Sequence, residues 1–205
     1  MIDLAGIAAL EAEEARGNGI DTAARPAPRS VTVGELLALK IPAREYLLKP
    51  WLREKETAMV HAWRGVGKTL LGLNISYAIA SGGTFLTWAA PEPRRVVYID
   101  GEMPARTIQE RLAAIIQASD QECNPDNLRL VCADLQEAPL PNLSTTEGQS
   151  LIEPLVEDAD LVVVDSISTL ASWGRENEAE SWLPMQAWAL KLRRPIVAPN
   201  SFACD

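Results

Sequence analysis

The chain has 205 residues, 47% of them hydrophobic, which suffices for one domain with a full core and is too few for two sizeable ones. Its 28 acidic and 19 basic side chains leave a net charge of −9, which excludes a broad basic surface for duplex nucleic acid but not a local basic channel. The three cysteines, Cys123, Cys132 and Cys204, form no CxxC pair, so they read as reduced thiols of a cytoplasmic protein; no secretory leader opens the chain, and no apolar run reaches the roughly 18 residues of a membrane span.

Residues 1–30 join an alanine- and glutamate-rich segment, Asp3 to Arg16, to a glycine- and proline-broken stretch ending at Arg29. A flexible tail is expected there, with a partner-binding arm as the alternative. Residues 31–56 lead into the core. Thr32-Val-Gly-Glu35 is a capping-box signature for a helix through Leu36, Leu37 and Leu39. Ile41 to Trp51 then reads as an extended apolar strap, either covering an edge of the domain or docking on a neighbouring subunit.

The core is expected over residues 57–205. Thr57-Ala-Met-Val60 suits a buried strand, and Leu70, Leu71, Leu73, Ile75, Tyr77, Ala78 and Ile79 mark a densely apolar helix ending at Gly82-Gly83. Between them lies His61-Ala-Trp-Arg-Gly-Val-Gly-Lys-Thr69. Strand, glycine-rich loop, Gly-Lys-Thr and helix form the arrangement of a nucleoside-triphosphate phosphate loop. Gly65 and Gly67 free the backbone to turn successive amides around a phosphate, and the helix N-terminus adds its dipole. The expected nucleotide contacts are Ala62, Trp63, Arg64, Gly65, Val66, Gly67, Lys68, Thr69 and Leu70, with Lys68 on the β- and γ-phosphates and the Thr69 hydroxyl on magnesium. Ala62 stands where the strict pattern has its first glycine, and His61 reads as a packed histidine.

Further along, Pro91 to Arg95 marks a turn and Val96-Val-Tyr-Ile-Asp100 a second buried strand. Glu102-Met-Pro104 is expected to open a helix with Pro104 in its first turn, an apolar face at Ile108, Leu112, Ile115 and Ile116, and an Arg106–Glu110 pair. Leu128 to Cys132 reads as a third strand. Ser144-Thr-Thr-Glu147 reads as a second capping box, with Pro154 kinking or ending the helix that follows. Asp160 to Asp165 is a fourth strand. After a polar loop, Trp173 to Glu180, comes a last helix with apolar positions at Trp182, Met185, Ala189, Leu190 and Leu192. Strands alternating with helices at this spacing predict an α/β fold, a mostly parallel sheet covered on both faces.

Two carboxylates end buried strands or follow them. Asp165 sits where the magnesium-holding Walker B aspartate sits, with Ser166 placed to share the metal's water shell. Glu102 lies just past a different strand and is the best-placed carboxylate to orient or deprotonate an attacking water.

Ala62 to Thr69, Asp100-Gly-Glu-Met-Pro-Ala-Arg106 and Leu161-Val-Val-Val-Asp-Ser-Ile-Ser-Thr169 together resemble the RecA-like ATPases, and within them the hexameric replicative helicases related to plasmid RepA and DnaB, the likeness running from about Ile41 to Arg194. The resemblance implies an AAA-type ATPase that binds ATP and Mg2+ at the subunit interfaces of a homo-oligomeric ring and moves on single-stranded DNA in plasmid or phage replication. It assigns Lys68 and Glu102 catalytic roles, Glu102 as the catalytic carboxylate, and gives Thr69 and Asp165 to the metal. After Arg194 the pattern departs: relatives continue with a central apolar strand, DNA-contacting loops and an arginine finger, whereas this chain reads Pro195-Ile-Val-Ala-Pro-Asn-Ser-Phe-Ala-Cys-Asp205. Two prolines make a poor central strand, so a RecA-like core shortened at its C-terminal end is expected, with Asn200 a candidate sensor residue. A nucleotide-binding regulatory or remnant protein without turnover is the alternative function; a small-molecule kinase is disfavoured, since no arginine-rich acceptor lid is visible.

Overall fold

The computed structural model describes residues 28–63, 65–171, 178–192 and 196–200. The chain divides into two compact units, Met1–Pro42 and Ala43–Asp205. In the first, helix α1 (Val33–Ala38) carries the expected capping box: Glu35 N donates to Thr32 Oγ1 at 3.2 Å and Thr32 N donates to Glu35 Oε2 at 2.7 Å. Most of residues 1–30 lie outside the described residues.

The second unit opens with a correction. The stretch expected as a strap folds into an antiparallel hairpin, β1 (Tyr46–Leu48) with β2 (Leu52–Arg53), and buries Leu47, Leu48 and Leu52. Pairing satisfies backbone groups that a lone strap would carry unpaired into the core. Its main feature is a five-stranded, all-parallel sheet in the order β3-β9-β8-β6-β7: β3 (Thr57–His61), β6 (Val96–Asp100), β7 (Leu128–Cys132), β8 (Leu161–Asp165) and β9 (Ile196–Asn200). Every residue of β6 and β8 is buried, as the unbroken apolar runs require of strands covered on both sides.

The doubt about a central C-terminal strand is also corrected. β9 lies between β3 and β8, pairing along β3 from Thr57↔Ile196 to His61↔Asn200 but with β8 only at Val162↔Ile196 and Val163↔Val197. The ladder to β8 therefore stops before Pro199, where a missing amide would have broken it. The phosphate-loop strand β3, expected to be buried, instead lies at the sheet edge, with Thr57, Met59 and His61 exposed and Ala58 and Val60 half-buried. The alternation means that one face of β3 is open and the other only partly covered.

One face of the sheet is covered by α2 (Lys68–Ser81), in which every residue from Gly72 to Ser81 except Asn74 is buried; Leu73, Ile75 and Ile79 meet Val96, Tyr98, Leu161 and Val163. Gly82, at φ +69°, ends it in the left-handed conformation. A short hairpin, β4 (Thr84–Phe85) with β5 (Trp88–Ala89), follows where the sequence suggested no strand, and Trp88 packs edge-on against Trp51. Helix α3 (Ala105–Ala118) begins later than expected, with Pro104 as its N-cap rather than in its first turn. Ile108 is buried and the exposed Arg106–Glu110 pair closes to 3.0 Å, but Ile116 is 53% exposed.

The other face is covered by α4 (Thr146–Val156), α5 (Ile167–Leu170) and α6 (Glu178–Leu192). Thr145, not Ser144, caps α4, because Asn142 Oδ1 already takes the Ser144 amide and hydroxyl. The helix continues past Pro154 and ends at Val156. α6 starts inside the stretch expected as a loop and buries Met185, Trp188 and Ala189, while Leu190 is exposed. The Trp182 side chain and Arg193 and Arg194 lie outside the described residues. Among the described residues, no helix is long and apolar enough to cross a membrane.

Candidate functional site

The sheet order reverses at β6: the chain leaves it for β7 on one side and returns to β8 on the other. Parallel sheets bind ligands at the carboxyl ends of strands beside such a switch point. Asp100 and Asp165 end β6 and β8 there and are register partners.

The phosphate-loop residues Ala62, Trp63 and Gly65 to Leu70 run from the end of β3 into the first turn of α2; Arg64 lies outside the described residues. Gly65 and Gly67 adopt φ of +85° and +96°, which side-chain-bearing residues rarely take, and a Cβ on either would meet nothing within 4 Å. The loop is therefore an open cradle at a helix N-terminus, suited to an anion. The Lys68 ammonium is held across it, donating to the carbonyls of Ala62 and Trp63 at 2.8 Å each. Trp63 and Val66 are exposed on the loop.

Asp165, nearly buried, lies within reach of all the expected partners. Its Oδ2 accepts the Tyr98 hydroxyl at 2.6 Å, and the Thr69 hydroxyl, Glu102 and Lys68 lie near enough to act on its charge. Burial pushes its carboxyl above the ordinary range, against the lowering effect of the two hydroxyls and of Lys68. Lys68, Thr69, Glu102 and Asp165, from three separate chain segments, thus come together at one end of the sheet. Glu102 is exposed in the turn between β6 and α3. A hydroxyl and a carboxylate are hard oxygen donors that fit magnesium, which keeps water and phosphate oxygens as its other ligands. No cluster of three or more His, Cys, Asp or Glu suited to a metal occurs among the described residues.

Two expectations are revised. His61 is exposed rather than packed. Ser166 is buried and caps α5, its hydroxyl 2.7 Å from that of Ser168, so its oxygen serves the helix start rather than standing open to a metal's water shell. Asn200 belongs to β9, but its side chain lies outside the described residues.

Two residues escaped the sequence reading. Tyr98 and Asp100 share one face of β6, two residues apart, and a pair of polar tips at period two in an otherwise apolar strand was the available signal. Tyr98 lies under α2, where a Cβ on Gly72 would come within 3.1 Å of its hydroxyl. Burial and the neighbouring Asp165 raise its pKa, so it remains a donor. Tyr98→Phe is expected to leave a buried carboxylate oxygen without its donor and to destabilise the protein by about 1–3 kcal/mol, read as a thermal midpoint several degrees lower. An unchanged midpoint would mean that the bond contributes nothing net.

Comparison with known proteins agrees with this architecture. A sequence model described as an AAA domain matches residues 22–196. A KaiC-like protein from the hyperthermophilic archaeon Pyrococcus horikoshii OT3 has a similar fold, with a TM-score of 0.52 and 15% identity over 78% of this chain and 71% of that one. No curated protein matches significantly.

Proposed function

Because the chain belongs to the AAA domain family, within the P-loop ATPases, we propose that it binds Mg-ATP on the Gly65–Thr69 loop and hydrolyses it as the motor domain of a ring-forming DNA helicase. The observation that carries the reading is the convergence of Lys68, Thr69, Asp165 and Glu102 at the carboxyl ends of β3, β6 and β8.

In this reading the Gly65 and Gly67 amides and the α2 N-terminus hold the β- and γ-phosphates, and Lys68 contributes its charge from a position already tied to the loop. Thr69 and Asp165 would hold magnesium, which would supply positive charge to the triphosphate. The Glu102 carboxylate orients the attacking water and takes its proton. Asp165 is held by the Tyr98 hydroxyl, with Thr69 close by. Asp165→Asn is expected to raise the magnesium needed for half-maximal nucleotide binding by about tenfold, measured by titrating metal at fixed ATP. Unchanged metal dependence would remove Asp165 from the metal.

The DNA-motor part rests on the resemblance of the three motifs to replicative helicases. ATP turnover with and without single-stranded DNA, together with the mass of the assembly in solution, tests it. Turnover stimulated by single-stranded DNA in a ring supports the motor. Tight ATP binding without turnover supports a regulatory nucleotide-binding protein instead.

A further inference from the structure

The carboxylate of Asp100 is fully buried, an expensive place for a charge, and burial pushes its pKa up to about 6. Among the described residues its Oδ2 has no hydrogen-bond partner. Its Oδ1 accepts two backbone amides, those of Glu102 at 3.1 Å and Met103 at 2.6 Å. These are the amides of the turn that carries Glu102 out of the sheet. The same turn is fixed on its other side, where Gly101 N donates to Asp165 O at 2.8 Å and a Cβ on Gly101 would come within 2.6 Å of Thr169 Oγ1. The main chain at Glu102 is therefore pinned to both strand tips, β6 through a side chain and β8 through a carbonyl.

We infer that Asp100 is a positioning residue for hydrolysis, setting where the Glu102 carboxylate stands by holding the Glu102 and Met103 amides. The inference rests on the reading of Glu102 as the hydrolytic carboxylate. A turn held by one side-chain oxygen has a single backbone course, and a water-activating group displaced by about 1 Å loses on the order of 10²-fold in rate. What matters at position 100 is the acceptor and not the charge. An asparagine carbonyl has the two lone pairs needed to accept both amides, whereas alanine leaves two donors unpaired and the turn free to shift.

The test measures kcat, KM, ATP affinity and thermal midpoint for the full chain and for Asp100→Ala, Asp100→Asn, Glu102→Gln and the Asp100→Ala/Glu102→Gln double variant, with residual rates taken from long single-turnover reactions. Asp100→Ala is expected to lower kcat roughly 10- to 100-fold with ATP affinity within about twofold. Asp100→Asn is expected to restore most of kcat, and the Asp100→Ala loss should vanish in the Glu102→Gln background. Should Asp100→Ala not fold, Asp100→Ser, whose hydroxyl accepts one amide, replaces it with an intermediate kcat expected. The inference is overturned by an unchanged kcat, by equal damage from asparagine and alanine, by a loss confined to ATP affinity, or by a loss that persists without Glu102. A parent chain without turnover, or a Glu102→Gln chain as fast as the parent, overturns the reading of Glu102 itself and this inference with it. Failure of the Asp100 variants alone leaves that reading standing.

Discussion

Lys68→Ala is expected to abolish detectable binding of Mg-ATP, a loss of at least about 100-fold in affinity, or roughly 2.7 kcal/mol. Two effects add. The variant removes the ammonium that would meet the β- and γ-phosphates in a site where the nearby charges of Glu102 and Asp165 are negative. It also removes the donor shared by the carbonyls of Ala62 and Trp63, so the loop loses the bonds that hold its first two residues toward the helix. The side chain sits at the loop and not in the core, so the thermal midpoint should stay near that of the parent. Isothermal titration with Mg-ATP measures the effect, and binding of undiminished strength by the alanine variant would mean that the triphosphate lies elsewhere.

Glu102→Gln should separate binding from chemistry. The amide is nearly isosteric, the residue is exposed, and its backbone amide remains bonded to Asp100, so the turn is expected to keep its course. What disappears is the capacity to accept a proton from water. Removing such a group typically lowers the rate by about 10²–10⁴-fold. ATP affinity should be unchanged or slightly stronger, because one negative charge near the phosphates is gone. Phosphate release under saturating Mg-ATP gives the answer. A rate equal to the parent's would assign water activation to another group.

The strands that position these residues were largely legible. Val96–Asp100 and Leu161–Asp165 are unbroken apolar runs closed by an acid, and such runs have few homes other than a sheet covered on both sides. The course of α2 followed from Gly-Lys-Thr at its start and Gly82 at its end. Local competition was harder to read. Asn142 engages the Ser144 amide and hydroxyl and leaves Thr145 to cap α4, and Asp100 takes the Met103 amide just ahead of α3, because side chains near a helix start compete for backbone donors. The hairpins at Tyr46–Arg53 and Thr84–Ala89 have strands of two or three residues, too short for any periodicity to declare them.

From its residues alone the chain declared a phosphate loop, two acid-tipped strands and an α/β arrangement, since these depend on spacing within single elements, and elements of five residues or more impose their own period. Neighbourhood across the chain was decided only by the packed structure. Sheet order brings the Tyr98 hydroxyl to Asp165, 67 positions further along the chain, sets Asp100 beside the same residue, and lets β9 serve as a central strand by ending its second ladder ahead of Pro199. Long-range pairings of this kind are set by which faces bury together, and no window of sequence contains both partners.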